Sequence, residues 1–243
     1  MRTVFGKNPV MEALRSDKKI DKIYCLERKN KSVADQDLID LATEKSVKII
    51  EVTKNKLDSL ASDGKHQGII AIVEDYTYST LDEVLEKTNK KNKTPFLVIL
   101  DGITDVHNFG AIIRSCECAG VDGIVIPERR SAQINETVAK TSAGALEYIP
   151  IIRVVNINTT IDGLKGKGFW IYGADMNGDK AYYDEKYDGS IAMVIGGEGK
   201  GISRLTREKC DTIVEIPMYG RINSLNASCA ATILIYEVIR QRG

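Results

Sequence analysis

Three stretches of the sequence place glycines and polar side chains directly behind an apolar run: LDGITDVHNFGAIIRSCECAG (residues 100–120), MVIGGEGKGISRLTREKC (193–210) and VEIPMYGRINSLNASCAATILIYEVIRQR (214–242). Ligands of parallel α/β sheets bind outside the carboxyl ends of the strands, so such turns are where chemistry is to be sought. In the first stretch a strand ends at Asp101-Gly102, and a polar loop leads to a helix that begins near Asn108 and carries Arg114. Taken alone, this stretch reads more simply as a helix capped by Asn108, with Arg114 a solvated surface residue. In the second, Gly196, Gly197, Gly199 and Gly201 surround Glu198. The dinucleotide pattern G-x-G-x-x-G fails, because Gly197 and Gly199 would require a glycine where Ile202 stands. The phosphate-loop pattern fails too, because Lys200 is followed by Gly201 rather than Ser or Thr. The turn therefore brings backbone close to a ligand without either common phosphate geometry. A plain tight turn is the weaker reading for four glycines around one carboxylate. In the third, Arg221, Asn223, Ser224 and Asn226 precede the final helix. Capping needs one such residue, so their density points to recognition of a polar ligand at a helix N-terminus.

The elements that must hold these turns follow from apolar periodicity. From Phe96 the sequence alternates strands (96–100, 123–126, 151–154, 169–174, 192–195, 213–216) with helices (108–119, stopped by Gly120; 136–143; 226–240). The continuous apolar run at 96–100 suits a strand covered on both faces. The earlier part reads as a smaller α/β unit. Its first helix opens with Asn8 as cap and Pro9 at the first helical position. Strands follow at 23–26, 47–52 and 69–73, with helices at 36–45 and 54–61. A weak helix at 80–87 and the polar, basic TNKKNKTP (88–95) lie between the two patterns. The expected division is a domain at 1–76, a linker at 77–95 and a second domain at 96–243.

With 43% hydrophobic and 28% charged residues over 243 positions, the composition is that of a folded protein large enough for two domains. The formal net charge is zero. That weighs against a general nucleic-acid binder and leaves room for a local basic face. No run reaches the roughly 20 apolar residues of a membrane helix. MRTVFGKNPV lacks a secretory signal, so no membrane is expected and the cytoplasm is the expected location. Five scattered cysteines argue against a disulfide framework, and His66 and His107 do not complete a zinc constellation, so no metal is expected.

In order, spacing and end position, HNFGAIIRS, IGGEGKGIS and EIPMYGRINSLNAS resemble the three signature motifs of the SpoU/TrmH branch of the SPOUT RNA methyltransferases. GKNPVMEAL and GKHQGIIA (64–71) are similar to that family's small RNA-binding domain. The implied fold class is α/β: a parallel-sheet methyltransferase domain knotted as a deep trefoil, preceded by a small ribosomal-protein-like α/β RNA-binding domain. Periodicity announces no knot, and knots are very rare among folds. The resemblance also implies S-adenosylmethionine as methyl donor, held largely by backbone at Gly196 and Gly197, with Ile216 and Leu225 beside it. It implies a homodimer whose active site is completed across the interface. The implied substrate is the ribose 2′-hydroxyl of a guanosine in 23S ribosomal RNA.

A hydroxyl is a poor nucleophile while protonated, and Asn108, Arg114, Glu198, Ser224 and Asn226 are the candidates to activate or stabilise its oxygen. The family's arginine at the position of Arg114 is often given the role of base. A guanidinium is effectively always protonated, so Arg114 suits the target phosphate or the developing alkoxide better. Glu198 then takes the proton or orients the hydroxyl, while Asn108 and Asn226 position the ribose. His107 invites a general-base reading, but the family motif varies there and Asn108 is the recurring residue. Cys229 is expected to pack. RNA contact is expected at Lys18, Lys19, Lys22, Arg28, Lys29 and Lys31, where a solvated face is an equally good reading, and at Arg129 and Arg130. Three other functions stay open: the same chemistry on transfer RNA, an RNA-binding ribosome-assembly factor without catalysis, and a nucleotide-phosphate enzyme. A separate substrate domain favours ribosomal RNA, the intact polar set argues against a non-catalytic factor, and the failed glycine-loop patterns disfavour the last.

Overall fold

Residues 1–16, 18–27, 33–61 and 66–243 are described by the computed structural model, with side chains from residue 36 onward in the helix that begins at Val33. They divide into two units, one of residues 1–77 with 134–148, the other of 78–133 with 149–243. The first unit contains β1 (Arg2–Phe5), α1 (Lys7–Arg15), β2 (Ile20–Leu26), α2 (Val33–Glu44), β3 (Lys48–Val52), α3 (Lys54–Leu60) and β4 (Ile69–Val73). The sheet order is β1-β4-β2-β3, with β4 antiparallel to both neighbours and β3 parallel to β2. Period-two alternation assigns the faces. Val4, Ile23, Ile69, Ala71 and Val73 pack with Val10, Ala13 and Leu14 of α1 and with Leu38 and Ala42 of α2. Phe5 and Ile70 pack with Leu57 and Ala61 at α3.

The cap of α1 is Gly6, not Asn8, because a backbone φ of 89° at Gly6 turns the chain out of β1 straight into the helix. Pro9 falls inside the first turn, where a missing N–H costs nothing. Of the basic stretch, Lys18 is already engaged: its Nζ lies 3.2 Å from a carboxylate oxygen of the buried Glu147, which also pairs with Arg2. Lys22 pairs with Asp21 at 3.1 Å, and Lys19 is exposed. Arg28, Lys29 and Lys31, and Gly64 and Lys65 of GKHQGIIA, lie outside the described residues.

The second unit contains α4 (Leu81–Lys90), β5 (Phe96–Asp101), α5 (Val106–Cys118), β6 (Gly123–Pro127), β7 (Ile151–Val154), α7 (Ile157–Gly166), β8 (Trp170–Ala174), β9 (Lys180–Ala181), β10 (Ile191–Gly196), α8 (Arg204–Lys209), β11 (Thr212–Glu215) and α9 (Ala227–Arg242). The short α6 (Glu136–Thr141), between β6 and β7 in sequence, packs on β1 and belongs to the first unit. Seven strands form an all-parallel sheet in the order β7-β6-β5-β10-β8-β11-β9.

Residues 78–95, expected within a linker, pack with this unit. Thr80 and Glu83 form a reciprocal capping box that starts α4, and Val84 and Leu85 are buried with Leu97, Val125 and Ile152. The basic run that follows α4 masks its apolar face in the sequence. The weakly helical INTTIDGLKG forms α7, capped by Asn156, because Ile157, Ile161 and Leu164 recur at helical spacing and are all buried. Among the described residues, no helix is long and apolar enough to cross a membrane.

Candidate active site

Parallel pairing aligns Gly196 at the end of β10 with Asp101 at the end of β5, so topology brings the first two polar stretches together. Asp101 fastens them: its carbonyl accepts from Gly197 N at 3.0 Å and its Oδ2 from Ser203 N at 2.8 Å. The backbones approach so closely that side chains are excluded. A Cβ on Gly197 would stand 2.4 Å from the Gly102 carbonyl oxygen, and one on Gly196 2.1 Å from the carbonyl carbon of Gly201.

The cap of α5 is Asp105, whose side chain accepts from Asn108 N at 2.8 Å. Asn108 is therefore relieved of capping, and its amide side chain, largely buried, turns to the neighbouring motifs. Its Nδ2 donates to Glu198 Oε1, and its Oδ1 accepts from Asn226 Nδ2 at 2.9 Å. Asn226 Nδ2 also donates to Glu198 Oε1 at 3.1 Å. Asn226 is the cap of α9: its Oδ1 accepts from Ser228 N at 2.9 Å and Cys229 N at 3.3 Å. Because the cap commits Oδ1 to the helix, Nδ2 must face Asn108 and Glu198. The three polar stretches thus meet in one network. Glu198 Oε1 receives two amide donors, while Oε2 has no protein partner among the described residues.

Arg114 and Ser224 are not joined to this network. Arg114 is exposed six residues along α5 from Asn108, a spacing that places it on a different side of the helix. Ser224 is exposed in the segment leading to α9. A cavity of about 620 Å³ opens beside the network and has both Asn108 and Glu198 in its lining. The sequence reading missed Asp101, Asp105 and Ser203 as fasteners; an aspartate three positions ahead of Asn108 was the available sign of the cap. It also missed a clamp behind the glycine turn. Arg207 Nη1 pairs with Asp175 Oδ1 at 3.0 Å, and its Nη2 donates to the Asn177 carbonyl at 2.8 Å. Asp175 and Asn177 lie 32 and 30 residues before Arg207, beyond any local pattern.

This combination defines a class: an all-parallel α/β domain gathering a carboxylate and two side-chain amides at adjoining strand ends, with a separate α/β unit supplied by the N-terminal part of the chain. The model of the SpoU rRNA methylase family matches residues 95–236, and that of the RNA 2′-O ribose methyltransferase substrate-binding domain matches residues 3–79. The chain is 43% identical over 239 residues, 98% of its length and 95% of the relative's, to YacO of Bacillus subtilis, named as a TrmH family tRNA/rRNA methyltransferase. The crystal structure of the SpoU methyltransferase AviRb from Streptomyces viridochromogenes, in complex with AdoMet, has a TM-score of 0.81 at 26% identity, covering 99% of this chain and 89% of that one. The A. aeolicus TrmH/SpoU tRNA modifying enzyme has a TM-score of 0.56 at 31% identity, covering 65% of this chain and 84% of its own. The chain belongs to the SpoU methyltransferase family and is an RNA ribose 2′-O-methyltransferase.

The residues present fit the methyl donor of that family. Ile216 is half-buried just past β11, and Met218, Ile222 and Leu225 are exposed apolar side chains in the segment that follows. The backbone amides of residues 218–225 donate to no protein acceptor among the described residues. Apolar side chains beside uncommitted amides suit a heteroaromatic ring with hydrogen-bonding edges, such as adenine.

Proposed function

We propose that this enzyme methylates the 2′-hydroxyl of a guanosine in 23S ribosomal RNA, with Asn108, Glu198 and Asn226 as its reacting centre. The observation that carries this reading is the asymmetric carboxylate: Glu198 Oε1 is held by two amides and Oε2 is open. The ribose oxygen attacks a methyl carbon and must shed its proton. Glu198 Oε2 accepts that proton. Asn108 and Asn226 hold the carboxylate in one orientation, so no reorganisation is needed at the moment of reaction. S-adenosylmethionine would supply an electrophilic methyl group, whose bond to the sulfonium sulfur breaks as the oxygen–carbon bond forms, so that the neutral thioether S-adenosylhomocysteine leaves. Gly196 and Gly197, Ile216 and Leu225 would hold it through backbone groups and apolar contact.

Arg114, remote from the network within its own chain, is delivered to it by a second copy in a homodimer. There its guanidinium holds the target phosphate or the developing alkoxide, a role worth roughly 3–4 kcal/mol of barrier. Ser224 contributes a hydroxyl to the ribose contact. Residues 1–76 bind the RNA, residues 96–243 carry the chemistry on a trefoil-knotted backbone, and the enzyme works in the cytoplasm. Ribosomal RNA is favoured because the matched family is described as an rRNA methylase, and because the tRNA modifying relative aligns with 65% of this chain while a substrate-binding domain matches residues 3–79.

Mapping ribose methylation in ribosomal and transfer RNA from a deletion strain tests the reading. Loss of one 2′-O-methylguanosine from 23S RNA is expected. Loss from transfer RNA instead would overturn the target, and loss from neither would overturn the activity.

A further inference from the structure

We propose that the cavity beside Glu198 receives the target nucleotide, and that Arg129 and Arg130 hold its phosphodiester. The inference rests on the methyl-transfer reading above and adds a phosphate site to it. The cavity, about 620 Å³, is of a size that takes one nucleotide. It lies at the carboxyl ends of β5, β6, β7 and β10, and its lining joins Asn108 and Glu198 to the turn after β6 that carries the two arginines.

Two of the lining carboxylates hold backbone through one oxygen each: Asp101 Oδ2 accepts from Ser203 N and Asp105 Oδ1 from Asn108 N. Arg129, Arg130 and Lys200 are exposed, and no hydrogen bond or ion pair engages any of them among the described residues. Three unspent cations therefore line the same cavity as the open Glu198 Oε2, as a polyanionic chain presenting a neutral hydroxyl would require.

The turn itself is built to hold its shape. Ser131 Oγ donates to the Pro127 carbonyl at 3.1 Å, and Gln133 Nε2 donates to the same carbonyl at 3.2 Å. Between them Arg130 adopts a φ of 60°. A long side chain in the left-handed region is uncommon and is retained at ligand clamps where the surroundings impose it. The backbone is thus fixed while the guanidinium groups are unspent, and planar guanidinium pairs match phosphate oxygens in bidentate fashion.

The test uses the full-length enzyme, in vitro transcribed 23S RNA, and the variants Arg129→Ala and Arg130→Asn, singly and together; asparagine tolerates the left-handed backbone. Each variant is expected to raise the KM for RNA about tenfold. The slope of log affinity against log salt should become shallower by about 1 for each contact removed. Calorimetric affinity for S-adenosylhomocysteine should stay at the wild-type value, and Arg129→Lys should recover part of the loss. RNA affinity and salt slope unchanged in the double variant would overturn the proposal. So would a parallel loss of S-adenosylhomocysteine binding, which would mark a structural role. Failure of the wild-type enzyme to methylate the RNA would sink the 23S-target reading instead, and the binding measurement, which needs no turnover, would still decide whether these arginines touch phosphate.

Discussion

Asn226 serves two ends with one amide: its oxygen caps α9 and its nitrogen binds Asn108 and Glu198. The two roles separate by substitution. Asn226→Asp keeps the cap oxygen and sets an anion against Glu198, so turnover should fall about 100-fold, on the scale of losing one preorganised donor. Asn226→Ala should lose turnover as well and also cost about 1 kcal/mol of stability through the missing cap. Thermal unfolding and single-turnover kinetics on both variants check this; wild-type turnover in Asn226→Asp would show that Glu198 does not need the donor. Glu198→Gln should lower turnover about 10²- to 10⁴-fold, the usual range for a general base, with S-adenosylhomocysteine affinity retained. The cysteines give an independent check of the packing. Burial pushes the Cys210 thiol up to about 12 and the fully buried Cys116 thiol further, so at pH 8 neither holds an appreciable thiolate fraction. Cys118 is exposed, and so is Cys229, which the sequence suggested would pack but which lies on the outer side of the first turn of α9. Alkylation followed by mass spectrometry should modify Cys118 and Cys229 first; early labelling of Cys116 would contradict the packing of α5.

At the scale of elements, the close backbone approach after β10 is a test of the site's construction. Gly196→Ala puts a methyl group against the main chain of Gly201 and Ile202, which cannot swing aside as a side chain would. It should cost about 1–3 kcal/mol, as overpacking does. Gly163, inside α7, has nothing within 4 Å of an added Cβ. Gly163→Ala should therefore raise stability by roughly 0.5–1 kcal/mol through helix propensity. The two melting temperatures should move in opposite directions, and a Gly196→Ala protein melting like wild type would refute the close approach. Helix and strand existence from β2 to β6 was legible because buried stripes and apolar runs are local. The cap of α5 was misassigned because Asp105 and Asn108 are both good caps, and a helix start is decided by backbone geometry that composition leaves undetermined. β9, two residues long, and α8, six residues long, carry too little apolar pattern to be seen alone.

For the whole molecule, the exposed position of Arg114 makes the site's completeness a question of assembly. If a second copy supplies Arg114, Arg114→Ala and Glu198→Gln proteins, each inactive, should complement when co-expressed. Half of randomly assorted pairs are mixed, and each mixed pair contains one intact site, so about a quarter of wild-type activity is expected. No recovery, despite mixed dimers shown by mass spectrometry, would place Arg114 outside the reacting centre. The path of the chain was less legible at this scale. Residues 134–148 lie between two strands of the larger sheet in sequence yet pack with the first unit, where Tyr148 donates to Glu12 at 2.6 Å. No periodicity announces which of two sheets a short helix will cover.

By itself the sequence offered Asn108, Arg114, Glu198, Ser224 and Asn226 as candidates, through residue type and position behind apolar runs, and both properties are local. That Asn108, Glu198 and Asn226 form one network, which Arg114 and Ser224 do not join, was decided only by the tertiary structure. Glu198 lies 90 residues from Asn108, and Asn226 lies 118 from it, and they meet because β5 and β10 pair side by side while α9 packs back along α5. Strand order and helix docking arise from burial summed over the whole core, a sum to which no single stretch of sequence holds the key.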